Sequence, residues 1–246
     1  MINLFVDLVL RLNGILFNNL GLTIIFIGVL SRIIFYPFLA QSIRYSNTMR
    51  DLKPKLDEAK RIHGKDMRRF SSEQSRIFKE AGVNPASGMA LTCLGLIVQL
   101  VVFFLLFQSL QKVIASGVDT NFLLWDLAKP DVHKIKGISI ALPGGLVLLT
   151  ALLTFIQSKM ALPATTPAQN VEKKSKGQPD LSEAMASSQG TLSLIIPLFI
   201  IYWGINLASG LTLYWLVSTV FGIIQQYFIS GLGGLTPWVE KLPIRK

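Results

Sequence analysis

The chain has 246 residues, 51% of them hydrophobic and 15% charged, with a mean hydropathy of +0.50 and a formal charge of +10. These values exclude an ordinary soluble domain and fit a polytopic membrane protein. A single cysteine, Cys93, excludes an intramolecular disulfide and a cysteine zinc cluster. The basic excess does not point to nucleic acid, because eleven Lys and Arg residues fall together between Arg44 and Lys79, as in a membrane-flanking loop.

Residues 1–19 alternate apolar clusters with Asp7, Arg11, Asn13, Asn18 and Asn19. The spacing predicts an amphipathic helix on the outer membrane surface, with a frayed terminus as the alternative. No basic region with a short apolar core and a cleavage site precedes the first span, which is expected to act as an uncleaved insertion signal. Residues 20–41 form the first predicted transmembrane helix, with Arg32 near mid-depth. Arg cannot discard its proton. Burying it in hydrocarbon costs about 2.5–3.5 kcal/mol even on lenient scales. It must therefore face protein or water.

Residues 42–84 read as a cytoplasmic helical hairpin. Met49, Leu52, Leu56 and Ala59 form one apolar stripe, and Met67, Phe70, Ile77, Phe78 and Ala81 the other. His63 to Asp66 break the arms, and Pro54 kinks the first or starts its regular part. Lys53/Asp57, Asp57/Arg61 and Arg76/Glu80 have the spacing of exposed ion pairs. The hairpin's basic face, Lys53 included, has two readings: it sets topology, or it captures an acidic or nascent polypeptide. Met49, Leu52, Lys53, Leu56, Phe70 and Ile77 are the candidate capture residues. Nucleic-acid binding ranks lower for want of stacking aromatics.

Residues 85–110 form the second predicted span and 111–137 an external loop. Residues 138–158 form the third span, flanked or interrupted by Pro143. Residues 159–190, rich in Pro, Ser, Lys and Gln, read as a flexible cytoplasmic connector. The apolar run that follows is too long for one ordinary span, and Asn206 to Gly210 divide it into spans 191–206 and 210–229. A short tail, 230–246, ends the chain. Eighteen of the 24 Lys and Arg residues lie in the hairpin, the connector and the tail. That bias puts the N-terminus outside and the C-terminus in the cytoplasm of an all-α, five-helix membrane protein.

Neither a Gly-rich phosphate loop nor a paired-His zinc helix nor a nucleophile elbow is present in the sequence. No enzyme activity, metal or cofactor is expected. His63 and His133 fall on opposite membrane faces, and no span carries a carboxylate to neutralise Arg32. The spans hold uncharged polar groups instead: Gln99, Gln108, Gln157, Asn206, Thr212, Ser218, Thr219, Gln225 and Gln226. Singly they read as helix–helix hydrogen bonds. With an unpaired Arg32 they imply a water-filled pocket.

The order of features resembles the YidC/Oxa/Alb family of membrane protein insertases, over residues 20–229. The markers are Ser31-Arg32-Ile33-Ile34-Phe35-Tyr36-Pro37, the Leu-Lys-Pro-Lys-Leu pattern after Met49, Gly82-Val83-Asn84-Pro85, Leu124-Trp125-Asp126-Leu127, Pro130-Asp131, Gly210 to Trp215, and Gln225-Gln226-Tyr227. The resemblance implies five helices around a hydrophilic groove open to cytoplasm and lipid. It makes Arg32 the groove arginine, Gln99 and Gln157 the polar residues of spans two and three, and Trp215 a lining residue. It implies a bacterial plasma-membrane insertase and chaperone, compact in form, acting as a monomer on nascent membrane proteins. Polar segments would cross while hydrophobic segments enter lipid, helped by bilayer thinning around Pro143 and Pro197. Span two departs from the pattern in lacking Cys-x-Pro after Gly88. Ribosome and secretion-translocon contacts stay open. Two other classes compete: a small-anion transporter and a structural subunit of a membrane complex.

Overall fold

The computed structural model of the chain describes residues 2–64, 66–134, 141–161 and 181–239. Helices α1 (Ile2–Ile15), α2 (Leu20–Ile34), α3 (Tyr36–His63), α4 (Met67–Glu80) and α5 (Pro85–Ala115) come first. Strands β1 (Asn121–Phe122), β2 (Trp125–Asp126), β3 (Val132–Lys134) and β4 (Ala141–Pro143) follow, then α6 (Gly145–Ala161), α7 (Leu181–Gly204) and α8 (Ser209–Ser230). A 3-10 turn (Gly233–Leu235) and α9 (Thr236–Val239) complete it. The chain divides into two compact units, residues 34–101 and the remainder.

In the larger unit α6 packs along both α7 and α8. Val9, Leu20, Ile24, Ile27, Leu106, Leu110, Val113, Leu127, Leu146, Leu211, Leu213 and Tyr214 form its buried apolar cluster. These residues come from α1, α2, the C-terminal half of α5, the loop, and the N-terminal ends of α6 and α8. The cluster therefore gathers at the end of the bundle that carries the loop. Asn19 caps α2, accepting from Leu22 N at 2.9 Å. Thr23 Oγ1, donating to Asn13 Oδ1 at 3.3 Å, ties α1 to α2.

The smaller unit contains a helical hairpin whose arms α3 and α4 close on Leu52, Leu56, Ala59, Phe70 and Ile77. Asp66 caps α4, accepting from Arg68 N and Arg69 N at 3.1 and 3.2 Å. Asn84, just before Pro85, does the same for α5 through Ala86 N at 3.0 Å. Arg76 pairs with Glu80 at 2.8 Å as its spacing suggests, whereas Arg61 bonds Glu58 at 2.9 Å and not Asp57. Both offsets bring side chains together on a helix, and the longer Glu reaches more easily.

Several expectations are corrected. The first span is not one helix, because α2 stops at Ile34 and α3 starts at Tyr36. Pro37 at the start of α3 disfavours helical geometry in the residues before it. Span one's inner residues then continue without a break into the first hairpin arm, with Pro54 inside that helix. The fold is mainly helical as expected, and the loop adds two short antiparallel ribbons, β1 with β2 and β3 with β4. Span three begins only at Gly145, after Pro143 closes the second ribbon. Helix α7 starts at Leu181, inside the expected flexible connector. Residues 138–140, most of the connector (162–180) and tail residues 240–246 lie outside the described residues.

By length and apolarity, two helical stretches among the described residues can cross a bilayer, Cys93–Ala115 and Ser209–Ser230. The α1–α2 pair, bent by 117°, would be a third as a broken span. Gly145–Ala161 and Ser193–Gly204 are apolar but shorter. At about 1.5 Å per residue the former reaches roughly 25 Å, less than the ~30 Å hydrocarbon core. By this measure the described residues hold two or three crossings, and the two shorter apolar helices fall below it.

Candidate functional site

Beyond its apolar cluster, the larger unit exposes apolar side chains on α6, α7 and α8 and buries polar ones between α6 and α8. Leu148, Leu149 and Leu152 of α6, Leu194, Leu198 and Phe199 of α7, and Val220, Ile224 and Phe228 of α8 are exposed. Thr150 and Thr154 of α6 and Thr212, Ser218, Thr219, Gln225 and Gln226 of α8 are buried. A large exposed apolar surface backed by a line of buried polar side chains is unlike a water-soluble protein, and suits helices solvated by lipid.

The polar groups form a seam between α6 and α8. Thr150, Thr154 and Gln157 recur at intervals of four and three residues, so they share one face of α6. Ser218, Gly222 and Gln225 do the same on α8. Thr154 and Thr219 hydroxyls meet at 3.4 Å across the seam, and Gln226 Nε2 donates to the Met160 carbonyl at 3.4 Å. At Gly222 the seam meets a third element, α2. A Cβ there would overlap the Gln157 amide nitrogen, and Arg32 Nη1 lies 3.7 Å from the same point. The bare backbone of Gly222 thus lets amide and guanidinium converge on one spot.

Arg32 lies in the last turn of α2, where unpaired carbonyls carry partial negative charge that favours a cation. Buried Tyr214 is within electrostatic reach of the guanidinium. No carboxylate is paired with Arg32 among the described residues. Its Nε is buried without a hydrogen-bond partner there, as are Ser218 Oγ and Gln225 Nε2. Three unused donors in one seam mark a place able to accept oxygen-bearing groups from outside the chain.

Of the four groove residues expected from the sequence, the structure brings Arg32 and Gln157 together. Trp215 lies seven residues before Gly222 and so on the same stripe of α8. Its ring meets Phe103 edge-on, centroids 5.8 Å apart, beside a narrow cleft also lined by Thr150, Trp203 and Thr212. Gln99 is half-buried on α5 in the smaller unit. Of the capture residues, Leu52, Leu56, Phe70 and Ile77 form the hairpin's own interior. Met49 is half-buried and Lys53 exposed. No cluster of three or more metal-ligating side chains occurs among the described residues.

Two aspartates of the loop prove to be anchors. Asp131, itself buried, accepts from Leu146 N at 2.7 Å and Val147 N at 3.2 Å, neutralising the N-terminus of α6. Gly144 is required beside it, since a Cβ would overlap the carboxylate. Ala208, the N-cap of α8, provides no side-chain bond. The loop's own carbonyls serve instead: Ser209 N donates to Lys129 O at 2.8 Å and Gly210 N to Leu127 O at 3.0 Å. Asp126 holds the first ribbon through Thr120 Oγ1 at 2.7 Å and Lys129 Nζ at 2.8 Å. Lys129 and Thr120 hold its carboxyl down at about 2, and Lys129 is in turn raised by Asp126.

Sequence reasoning singled out Arg32 from its isolated charge but missed Gly222, the anchoring role of Asp131 and the pairing of Thr154 with Thr219. A glycine in mid-helix was the available signal for the first, because it costs about 1 kcal/mol against Ala and asks for a packing reason. Nothing local marks Asp131, whose partners lie 15 and 16 residues away.

Known proteins share this sequence along most of its length. The family described as 60Kd inner membrane protein matches residues 12–233. A membrane protein insertase YidC of Syntrophobacter fumaroxidans is 30% identical over 218 residues, 87% of this chain and 35% of that one. One of Methylococcus capsulatus is 31% identical over 219 residues, again 87% of this chain and 33% of the relative. One of Fusobacterium nucleatum, 28% identical, is matched over 88% of both chains. The chain thus spans about a third of the length of the first of these curated relatives and most of the last. With the family match running from the end of α1 to the turn after α8, this chain belongs to the 60Kd inner membrane protein family, the family of the YidC insertases.

Proposed function

We propose that the protein is a membrane protein insertase of a bacterial plasma membrane, crossing it five times with the hairpin in the cytoplasm. It would catalyse no covalent reaction. Its relatives' name supports the activity, and one observation carries the mechanism: a cation with a buried, unused N–H beside Gln157, at the one place where Gly222 opens α8. A polar or acidic segment of a nascent membrane protein entering this seam replaces part of its lost hydration with those donors. A carboxylate about 4 Å from the guanidinium gains roughly 4 kcal/mol at an effective dielectric of ~20. The membrane potential adds roughly 2.3 kcal/mol per charge per 100 mV, directed outward for a negative segment. Neither is strong enough to trap the segment once water meets it outside. The client's hydrophobic segment leaves past the exposed apolar faces into lipid. Trp215 would line the same path, and Gln99, Lys53 and the exposed Met67 of the smaller unit would offer the client contacts of their own.

The test is reconstitution of the purified chain alone in liposomes, scored for insertion of a small acidic-tailed protein and for anion flux. Insertion without flux supports the reading, and flux without insertion makes the chain an anion transporter. Failure of both leaves the structural-subunit reading. Arg32→Ala should slow insertion at least about tenfold, the factor that ~1.4 kcal/mol of lost stabilisation gives. Arg32→Lys, keeping the charge, should retain most of it. Wild-type rates for both variants would refute the mechanism.

A further inference from the structure

The tip of the first ribbon displays two leucines to the surroundings: Leu123 is 81% exposed and Leu124 91%. A two-residue hairpin turn normally takes Gly, Asn or Asp, which tolerate positive φ and stay in water. Here Leu123 adopts φ 53 despite its Cβ. The turn is also not slack. Thr120, Ala128 and Lys129 all bond the Asp126 carboxylate beneath it, and Leu127 N donates to Thr120 O at 2.8 Å. A hydrogen-bonded support thus holds two leucines outward, the first of them at a strained φ, which neither folding nor solubility requires.

A second turn lies beside it. The ring of Phe122 fills the space that a Cβ on Gly21 would need, so the leucines sit next to the start of α2. The turn leading into α2 carries Phe17, 87% exposed and also at positive φ, following exposed Ile15. Asn18, Asp119 and Asn121 flank these side chains with polar groups. Apolar tips on a polar collar, level with the N-terminal end of the apolar helix α2, have the pattern of side chains seated at the hydrocarbon boundary. We propose that Leu123, Leu124 and Phe17 form an anchor inserted into the outer leaflet, with acyl chains as its partner. The depth follows from the Gly21–Phe122 contact: it ties the ribbon tip to the N-terminal end of α2, where headgroups meet hydrocarbon. The inference rests on α2 crossing the bilayer, not on the insertase activity.

The test is a nitroxide placed at residue 124, 17 or 119 by Leu124→Cys, Phe17→Cys or Asp119→Cys in a Cys93→Ser background. Each variant is studied in nanodiscs holding one copy of the chain. Labels at 124 and 17 should collide more with dissolved oxygen than with a water-soluble nickel chelate, as in lipid, and the label at 119 the reverse. A label from Val220→Cys, exposed on α8, reports whether the helices are in lipid at all. If 220 reads as lipid while 124 and 17 read as water, the anchor does not exist, whatever the insertase assay shows. If 124 and 17 read as lipid in this single-copy preparation, no protein partner is needed to cover them.

Discussion

At one end of α8, Ser209 and Gly210 give their backbone N–H groups to loop carbonyls, and Leu211, Leu213 and Tyr214 join the apolar cluster. About two and four turns further on, the same helix turns Ser218 and Gln225 inward with donors that nothing in the described chain accepts. Helix α6 repeats the contrast, with Asp131 saturating its first turn and Gln157 reaching across to Gly222 near its last. The loop end is closed chemically as well as sterically. The opposite end retains hydrogen-bonding capacity, and capacity left unused in a buried place is what a passing polar chain needs. Stability and the proposed function are therefore concentrated in different parts of one helix pair.

Asp131→Ala should break the closed end with the largest effect on stability. Two buried N–H groups lose a charged acceptor, which costs about 2 kcal/mol. A fall in the thermal midpoint is expected, with insertion per folded molecule unchanged. An equal loss of insertion at temperatures where the variant stays folded would show that the two ends are coupled.

Gly222→Ala should do the opposite at the open end. Alanine gains about 1 kcal/mol of helix propensity, and the atom in its way is the far end of a flexible Gln side chain. The midpoint should hold or rise while insertion falls severalfold, because Gln157 is pushed from its place beside Arg32. Unchanged insertion would remove Gln157 from the site.

Ser218→Ala sharpens the contrast. Removing an unsatisfied buried hydroxyl from a dry interface should stabilise by up to ~1 kcal/mol, whereas a hydrated seam would show a small loss. A loss together with slower insertion supports the hydrated site, and a gain with normal insertion counts against it.

The smallest effect belongs to Asp126. Its carboxyl, normally near 3.8, is lowered to about 2, first by Lys129 and then by Thr120. A depressed value means the contribution is complete above about pH 4 and is lost as pH falls through about 2. Protease resistance of the first ribbon should be level from about pH 7 to 5, then decline, and Asp126→Asn should abolish that dependence. The bond is part-exposed, so the change is small beside that of Asp131.

Much of the hairpin was legible because its cause is local. Apolar residues at helical spacing, Asp66 as a cap and Gly82 with Pro85 as stops specify two arms that close on Leu52, Leu56, Phe70 and Ile77. The same burial redirects any capture role to surface positions, which periodicity alone does not distinguish from core. The ribbons and the break at Phe35 were less legible. Two- and three-residue strands have no periodicity to read, and Pro37 acts on residues that otherwise look like continuous span.

Composition, the isolated charge of Arg32 and the uneven spread of Lys and Arg determine that the chain is membrane-embedded and has a cation needing a polar neighbour, since hydrocarbon solvates neither charge nor unpaired amide. Which neighbour that is depended on tertiary structure. Gln157, Gly222 and Arg32 are separated by 65 residues or more along the chain. They meet only because α6 and α8 pack closely where a missing side chain leaves room. Close approach between distant segments is a property of packed surfaces, and no local pattern of residues encodes it.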